Sequence, residues 1–363
     1  MSGAQGGAGR YNGAAVAVHI DTTRRGAAWP RQREALAAPA VAVVTLTVAA
    51  IATHAAGVRF RDPDNVAAKY VVIMVVAVVG LVLLDVAIRA GRRDRTWRPS
   101  RAAMREIRRG RWTPSRLIAA GGGLLSFYLA YLGFRNLKGA LPFLRPELTD
   151  ARLAQADRDL FLGHDPATLL HSLLGTGVAA HVLAAVYAAF IVFLPLSLAV
   201  ALVFSSRLST SLFFATAMSL NWLIGIGSYY LLPSLGPAYA NPLEFADLPY
   251  TEATRLQAML LSDRAGFVRD PDSGIPQAIA AFASLHIAMS FTALAMTYLL
   301  GLGGRVKAVL WAWLGLTTVA TVYLGWHYAI DDLAGVVIGV LSLAIAQRLT
   351  GYDVRGARRA PST

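Results

Sequence analysis

Four residues in the last quarter of the chain have side chains suited to covalent chemistry: Ser284 and His286 in "AFASLHIAMS", and His327 and Asp331 in "GWHYAIDDLAG". A spacing of four puts His327 and Asp331 on one face of a helix. A carboxylate placed there accepts the Nδ1 proton of His327, fixes its tautomer and leaves the Nε2 lone pair pointing outward, which makes imidazole a nucleophile or base. His286 is then a second imidazole, free to act as an acid. Both stretches open apolar runs, so helix N-termini with unpaired N–H groups and partial positive charge lie beside them, an environment suited to a phosphate. Asp332 is turned about 100° from Asp331 on such a helix and reads as a cap or supporting group.

The elements that must hold these residues are membrane spans. Of the 363 residues 56% are hydrophobic and only 15% charged, with mean hydropathy +0.50, whereas soluble domains carry about 25% charged residues. Eight apolar runs, near 37–58, 70–90, 115–134, 178–204, 208–232, 278–301, 306–325 and 327–348, approach the ~20 residues that cross a bilayer as a helix. The expected fold is an all-α polytopic integral membrane protein of about eight spans. The net charge of +13 marks topology rather than nucleic-acid binding, because eleven arginines between Arg89 and Arg116 fall in one loop. That loop, the N-terminal segment, the turns at Arg207 and at Arg305 with Lys307, and the tail at Arg355, Arg358 and Arg359 are all basic. They are expected in the cytoplasm, with the mixed-charge loops 135–177 and 233–277 outside. The chain divides into a disordered tail (1–36), two helices with the arginine-rich loop (37–111), a six-helix catalytic domain (112–350) and a second tail (351–363). No cysteine is present, which excludes thiolate chemistry. Only three of the 34 basic residues are lysine, a usage that points to a GC-rich bacterial genome and hence to the bacterial cytoplasmic membrane, with the histidines facing outward.

With their order and placement, these stretches resemble the type 2 phosphatidic acid phosphatase superfamily, whose pattern is K-x6-R-P, then P-S-x-H, then S-R-x5-H-x3-D, on a six-helix membrane core. Ala283-Ser284-Leu285-His286 matches the second motif with alanine for proline, and His327 to Asp331 matches H-x3-D in full. The first motif is absent, and the third motif's serine and arginine fall at Ala320 and Thr321. "YYLLPSLGPAYANP" stands where the first motif would lie. This proline-rich element resembles the branch that includes inositol phosphorylceramide synthases and their bacterial relatives, which move a phospho-head group between lipids or to an alcohol.

The resemblance implies a lipid phosphate or phospholipid substrate and a phospho-His327 intermediate, with water or an alcohol as acceptor and neither cofactor nor metal. Asp331 would orient His327, His286 would protonate the leaving oxygen, and Ser284 would hold phosphate oxygens. With the motif cations missing, phosphate binding passes to Arg255, Arg264 or Arg269 of the outer loop, or to Arg135 and Lys138. Tyr230, Pro233, Pro237, Tyr239 and Tyr328 are the expected pocket walls. Two rival readings are a lipid or proton-coupled transporter, in which His327 and Asp331 relay protons, and a catalytically degenerate scaffold. A metal site is the rival for the cluster itself, though His, His and Asp without a second carboxylate make an incomplete ligand set. Asp85 and Asn221 are expected to make helix–helix hydrogen bonds, and His54, His164, His171 and His181 to be interfacial.

Overall fold

The computed structural model describes residues 32–62, 70–205, 207–272 and 279–353. The expected tails fall largely outside this set. Among the described residues there are thirteen α-helices, one 3-10 helix and no strand. The order is α1 (Gln32–Ala55), α2 (Tyr70–Asp94), α3 (Arg101–Arg111), α4 (Pro114–Leu144), α5 (Asp150–Leu160), α6 (Pro166–Leu174), α7 (Val178–Phe204), α8 (Leu208–Leu231), α9 (Pro237–Ala240), the 3-10 turn Pro242–Phe245, α10 (Glu252–Arg269), α11 (Leu285–Leu299), α12 (Gly304–Tyr323) and α13 (Ala329–Thr350). Each apolar run of the sequence contains a helix, though the sixth and eighth begin before their helices do. Six helices of the described residues, α1, α4, α7, α8, α12 and α13, are long and apolar enough to cross a membrane.

α8 is the axis of the bundle, buried along nearly its whole length and packed by α1, α4, α11 and α13. Its sequence permits that position because Thr216 and Ser219 turn their hydroxyls back onto the carbonyls of Leu212 and Ala215, so that these two hydroxyls are satisfied within the helix. Asn221 bridges to Thr292 of α11 at 3.1 Å, the expected interhelical bond. α4 runs ten residues past the 115–134 run and ends at Leu144. Its start is fixed by Thr113, whose side chain accepts the Arg116 N–H, and by Pro114 in the first turn.

At the arginine-rich end, Asp85 of α2 is buried and accepts from Arg89 Nε and Arg111 Nε, both at 2.7 Å. Arg111 and Arg116 also donate to the carbonyl of Ser205, just beyond the last turn of α7, at 2.9 and 2.6 Å. Basic side chains at a helix C-terminus satisfy carbonyls that have no intrahelical donor. Three of the eleven clustered arginines are therefore structural as well as topological.

Candidate active site

The sixth apolar run is not helical throughout. Residues 279–284 are irregular, and α11 begins only at Leu285, with Ser284 as its N-cap. Non-helical backbone survives at membrane depth only where protein satisfies it. Here Ala281 N donates to Ser234 O (3.1 Å), Phe282 N to Ser234 Oγ (3.0 Å), Ala283 N to Ser228 Oγ (2.9 Å) and Ser284 N to Asp331 O (3.0 Å). The segment thus acts as a frame between α8 and α13.

His327 departs from the expected helix face. It precedes α13, in the turn after α12, and Tyr328 is the N-cap. Its Nδ1 lies 2.9 Å from the carbonyl oxygen of Ala281 and 3.5 Å from Asp331 Oδ2. Asp331 Oδ2 is instead committed to the Tyr328 N–H at 3.0 Å, because a carboxylate three residues into a helix caps its own N-terminus. Asp332 is buried beside it, with Oδ2 2.9 Å from Thr321 Oγ1. Thr321 stands where the third motif would carry arginine, and its carbonyl accepts the N–H groups of Trp326 and His327 at 2.9 and 3.2 Å.

The two imidazoles meet directly, with His286 Nδ1 3.1 Å from His327 Nε2. The carbonyl of Ala281 fixes the proton of His327 on Nδ1, so its Nε2 is the acceptor and His286 Nδ1 the donor. Tyr187 and Phe190 of α7 pack on His286 at ring-centroid distances of 4.8 and 4.4 Å, and Tyr187 stacks on Trp326 at 4.7 Å. His327 is 4% exposed, and burial pushes its pKa down to about 4, opposed by the Asp332 carboxylate and the Ala281 carbonyl and assisted by the Lys138 ammonium.

The other expected site residues are dispersed. Ser284 is fully buried and its Oγ has no hydrogen-bond partner among the described residues, as is true of Asp331 Oδ1, Asp332 Oδ1 and Trp326 Nε1. Arg255 is exposed and ion-paired with Glu252 on α10, and Arg269 is exposed at the end of that helix. Arg264 is half-buried on the face of α10 towards Asp150, and burial lowers its pKa against the pull of that carboxylate. Arg135 is buried in α4, and Lys138 lies one turn on, its Nζ 5.7 Å from the Tyr229 ring. Tyr230 donates to Leu137 O at 2.8 Å, Pro233 O accepts from Thr149 N at 2.7 Å, Pro237 opens α9, and Tyr239 packs edge-on to Trp326. Tyr328 is buried, its hydroxyl 3.1 Å from Asp150 Oδ1. Among the described residues no three His, Asp or Glu side chains converge as a metal site. Sequence reasoning missed the Ala281 carbonyl, because any residue supplies one.

A polytopic helical bundle with two imidazoles in contact beside buried carboxylates defines a paired-histidine site at one end of a membrane protein. The family model described as the PAP2 superfamily matches residues 151–345, more than half of the chain, and the protein belongs to that superfamily. No curated protein and no solved structure matches the chain.

Proposed function

We propose that this protein is a lipid phosphatase or phosphotransferase that works through a phosphohistidine. The observation that carries the reading is the 3.1 Å contact between His286 Nδ1 and His327 Nε2 in a member of this superfamily. His327 Nε2 attacks phosphorus as the bond to the leaving oxygen breaks, and His286, protonated at both ring nitrogens once the anionic phosphate is bound, gives its Nδ1 proton to that oxygen and keeps the one on Nε2. The rings part to admit the phosphoryl group. The Nδ1–H of phospho-His327 stays on the Ala281 carbonyl, while Asp331 and Asp332 offset its positive charge. His286, now with a free Nδ1 lone pair, takes a proton from water or an alcohol, which attacks phosphorus and releases His327.

Lys138 is the cation best supported for the phosphoryl oxygens, since its charge already acts on His327. Arg264 is the second choice, and the exposed Arg255 and Arg269 fit the role least. The proline-rich element supports a head-group transferase over a plain phosphatase, with a sugar, inositol or lipid hydroxyl as acceptor. The site is proposed to face outward from a bacterial cytoplasmic membrane, with residues 112–350 as the catalytic unit.

Radiolabelled phosphatidic acid in mixed micelles tests the chemistry. Acid-quenched wild-type protein should carry label, and His327→Gln should carry none and release no head group. His286→Ala should slow labelling by about 10²–10⁴-fold, and less for an aryl phosphate whose leaving group needs no proton. Chelators should change nothing. Normal turnover by His327→Gln would remove the mechanism, and lipid movement across vesicles without chemical change would favour a transporter. Single cysteines at Leu243 and Ala102, both exposed, should label from opposite sides of the membrane; labelling from one side would overturn the orientation.

A further inference from the structure

α5 gives no residue to the imidazole pair, yet two of its carboxylates hold the turn that carries His327. Asp157 accepts the N–H groups of Ala329 and Ile330, the first two residues of α13, at 2.7 and 2.8 Å. Asp150 accepts from Leu235 N at 3.0 Å, from Gly236 N at 2.9 Å and from the Tyr328 hydroxyl at 3.1 Å. Seven residues is two helical turns, so both carboxylates project from one face. Both are buried, at 7% and 2% exposure. A helix that only covers the bundle needs no buried carboxylate, and burial pushes the Asp157 pKa upward despite its two N–H donors. Those donors are orphan groups of a helix N-terminus, the partners that a carboxylate satisfies best.

The rest of the turn is gripped in the same manner. His171 Nε2 lies 2.8 Å from Tyr323 O, Gln257 Nε2 donates to Leu324 O at 2.8 Å, and Ala238 N donates to Gly325 O at 2.9 Å. Gly236, at φ +100°, fits under the carbonyl of Trp326, where a Cβ would come within 2.6 Å. His327 is two residues from Ala329, so any shift at the start of α13 passes to its ring.

We propose that Asp150 and Asp157 are positioning residues, which set the His327 ring against His286 by clamping Tyr328, Ala329 and Ile330 to α5. The proposal rests on the reading of the histidine pair as the reacting site. A misplacement of about 1 Å at a reacting group costs on the order of 10²-fold in rate.

The test uses the full chain in detergent with phosphatidic acid as probe, and follows kcat, KM, melting temperature and the rate of diethyl pyrocarbonate acylation at His327 by mass spectrometry. Asp157→Ala should lower kcat about 10²-fold with KM little changed, and acylation of His327 should accelerate. Asp157→Asn, which keeps one acceptor oxygen, should recover part of both. Tyr328→Phe, which removes only the contact with Asp150, should move both readouts the same way by less. Asp159→Ala, an exposed carboxylate on the same helix, should match wild type. Should Asp157→Ala fail to fold, Asp157→Asn and Tyr328→Phe decide. Wild-type kcat and wild-type acylation in those variants, or a kcat loss that Asp159→Ala reproduces, would overturn the clamp. If wild type and His327→Gln release head group alike, the phosphohistidine reading fails, and acylation still reports whether α5 holds the turn.

Discussion

His327 is held neutral by its surroundings, and this has a measurable sign. Its pKa falls from 6.5 to about 4 in the folded protein, so between these values the unfolded chain binds a proton that the native state refuses. Stability that is complete above the unfolded pKa is then lost as pH falls towards the folded one. The melting temperature of wild type should drop between about pH 7 and about pH 5 by more than that of His327→Gln, which cannot titrate. An equal drop would mean that the imidazole is charged in the native state and paired with Asp331 or Asp332. The four candidate positions were legible in the sequence because their residue types and order are distinctive. The Ala281 carbonyl was not, because every residue carries one and only the fold chooses which is aimed at Nδ1. Nor did the spacing reveal that Asp331 is committed to the Tyr328 N–H, since a carboxylate four residues after His327 is also three residues after Tyr328, and the cap is set by where the helix begins.

The elements were read from hydropathy, which reports burial and not backbone state. "IAAFAS" at 279–284 is as apolar as a helix, and what keeps it irregular lies elsewhere, in the hydroxyls of Ser228 and Ser234. The junction of α11 with α13 depends on two glycines of α13. A Cβ on Gly339 would stand 2.8 Å from Phe291 Cδ1 and 2.9 Å from the carbonyl of Ala288, and one on Gly335 would collide with the carbonyl of Ser284. Gly339→Val should therefore lower stability by about 1–3 kcal/mol through overpacking, read as a fall in melting temperature. His286 lies on α11 and His327 two residues before α13, so kcat should fall with it. A variant as stable and as active as wild type would show that the two helices tolerate a wider gap.

On the scale of the molecule, charge patterning separated the arginine-rich end from the histidine end, and both lie at opposite ends of α8. What patterning could not show is which spans touch. α1 lies against α4, α8 and α13, and its Val41, Ala42 and Ala49 share one apolar core with Ile338 and Ala346 of α13. Periodicity identifies an apolar face without naming its partner, and α1, rich in alanine and valine, has little face to read.

That contact between the first and last described helices sets an order of events during synthesis. α1 enters the bilayer early, yet part of its partner surface does not exist until α13 has been made, so α1 waits with the face that meets α13 uncovered. Contacts this distant in sequence form late, and the intervening species is the vulnerable one. A cysteine at Val41, buried in the finished bundle in the core shared with Ile338 and Ala346, should be sealed from membrane-permeant maleimide in the whole chain and open in one that stops at Tyr323. Equal protection in both would mean that α4 and α8 suffice to seat α1, and that the last helix closes onto a bundle already formed.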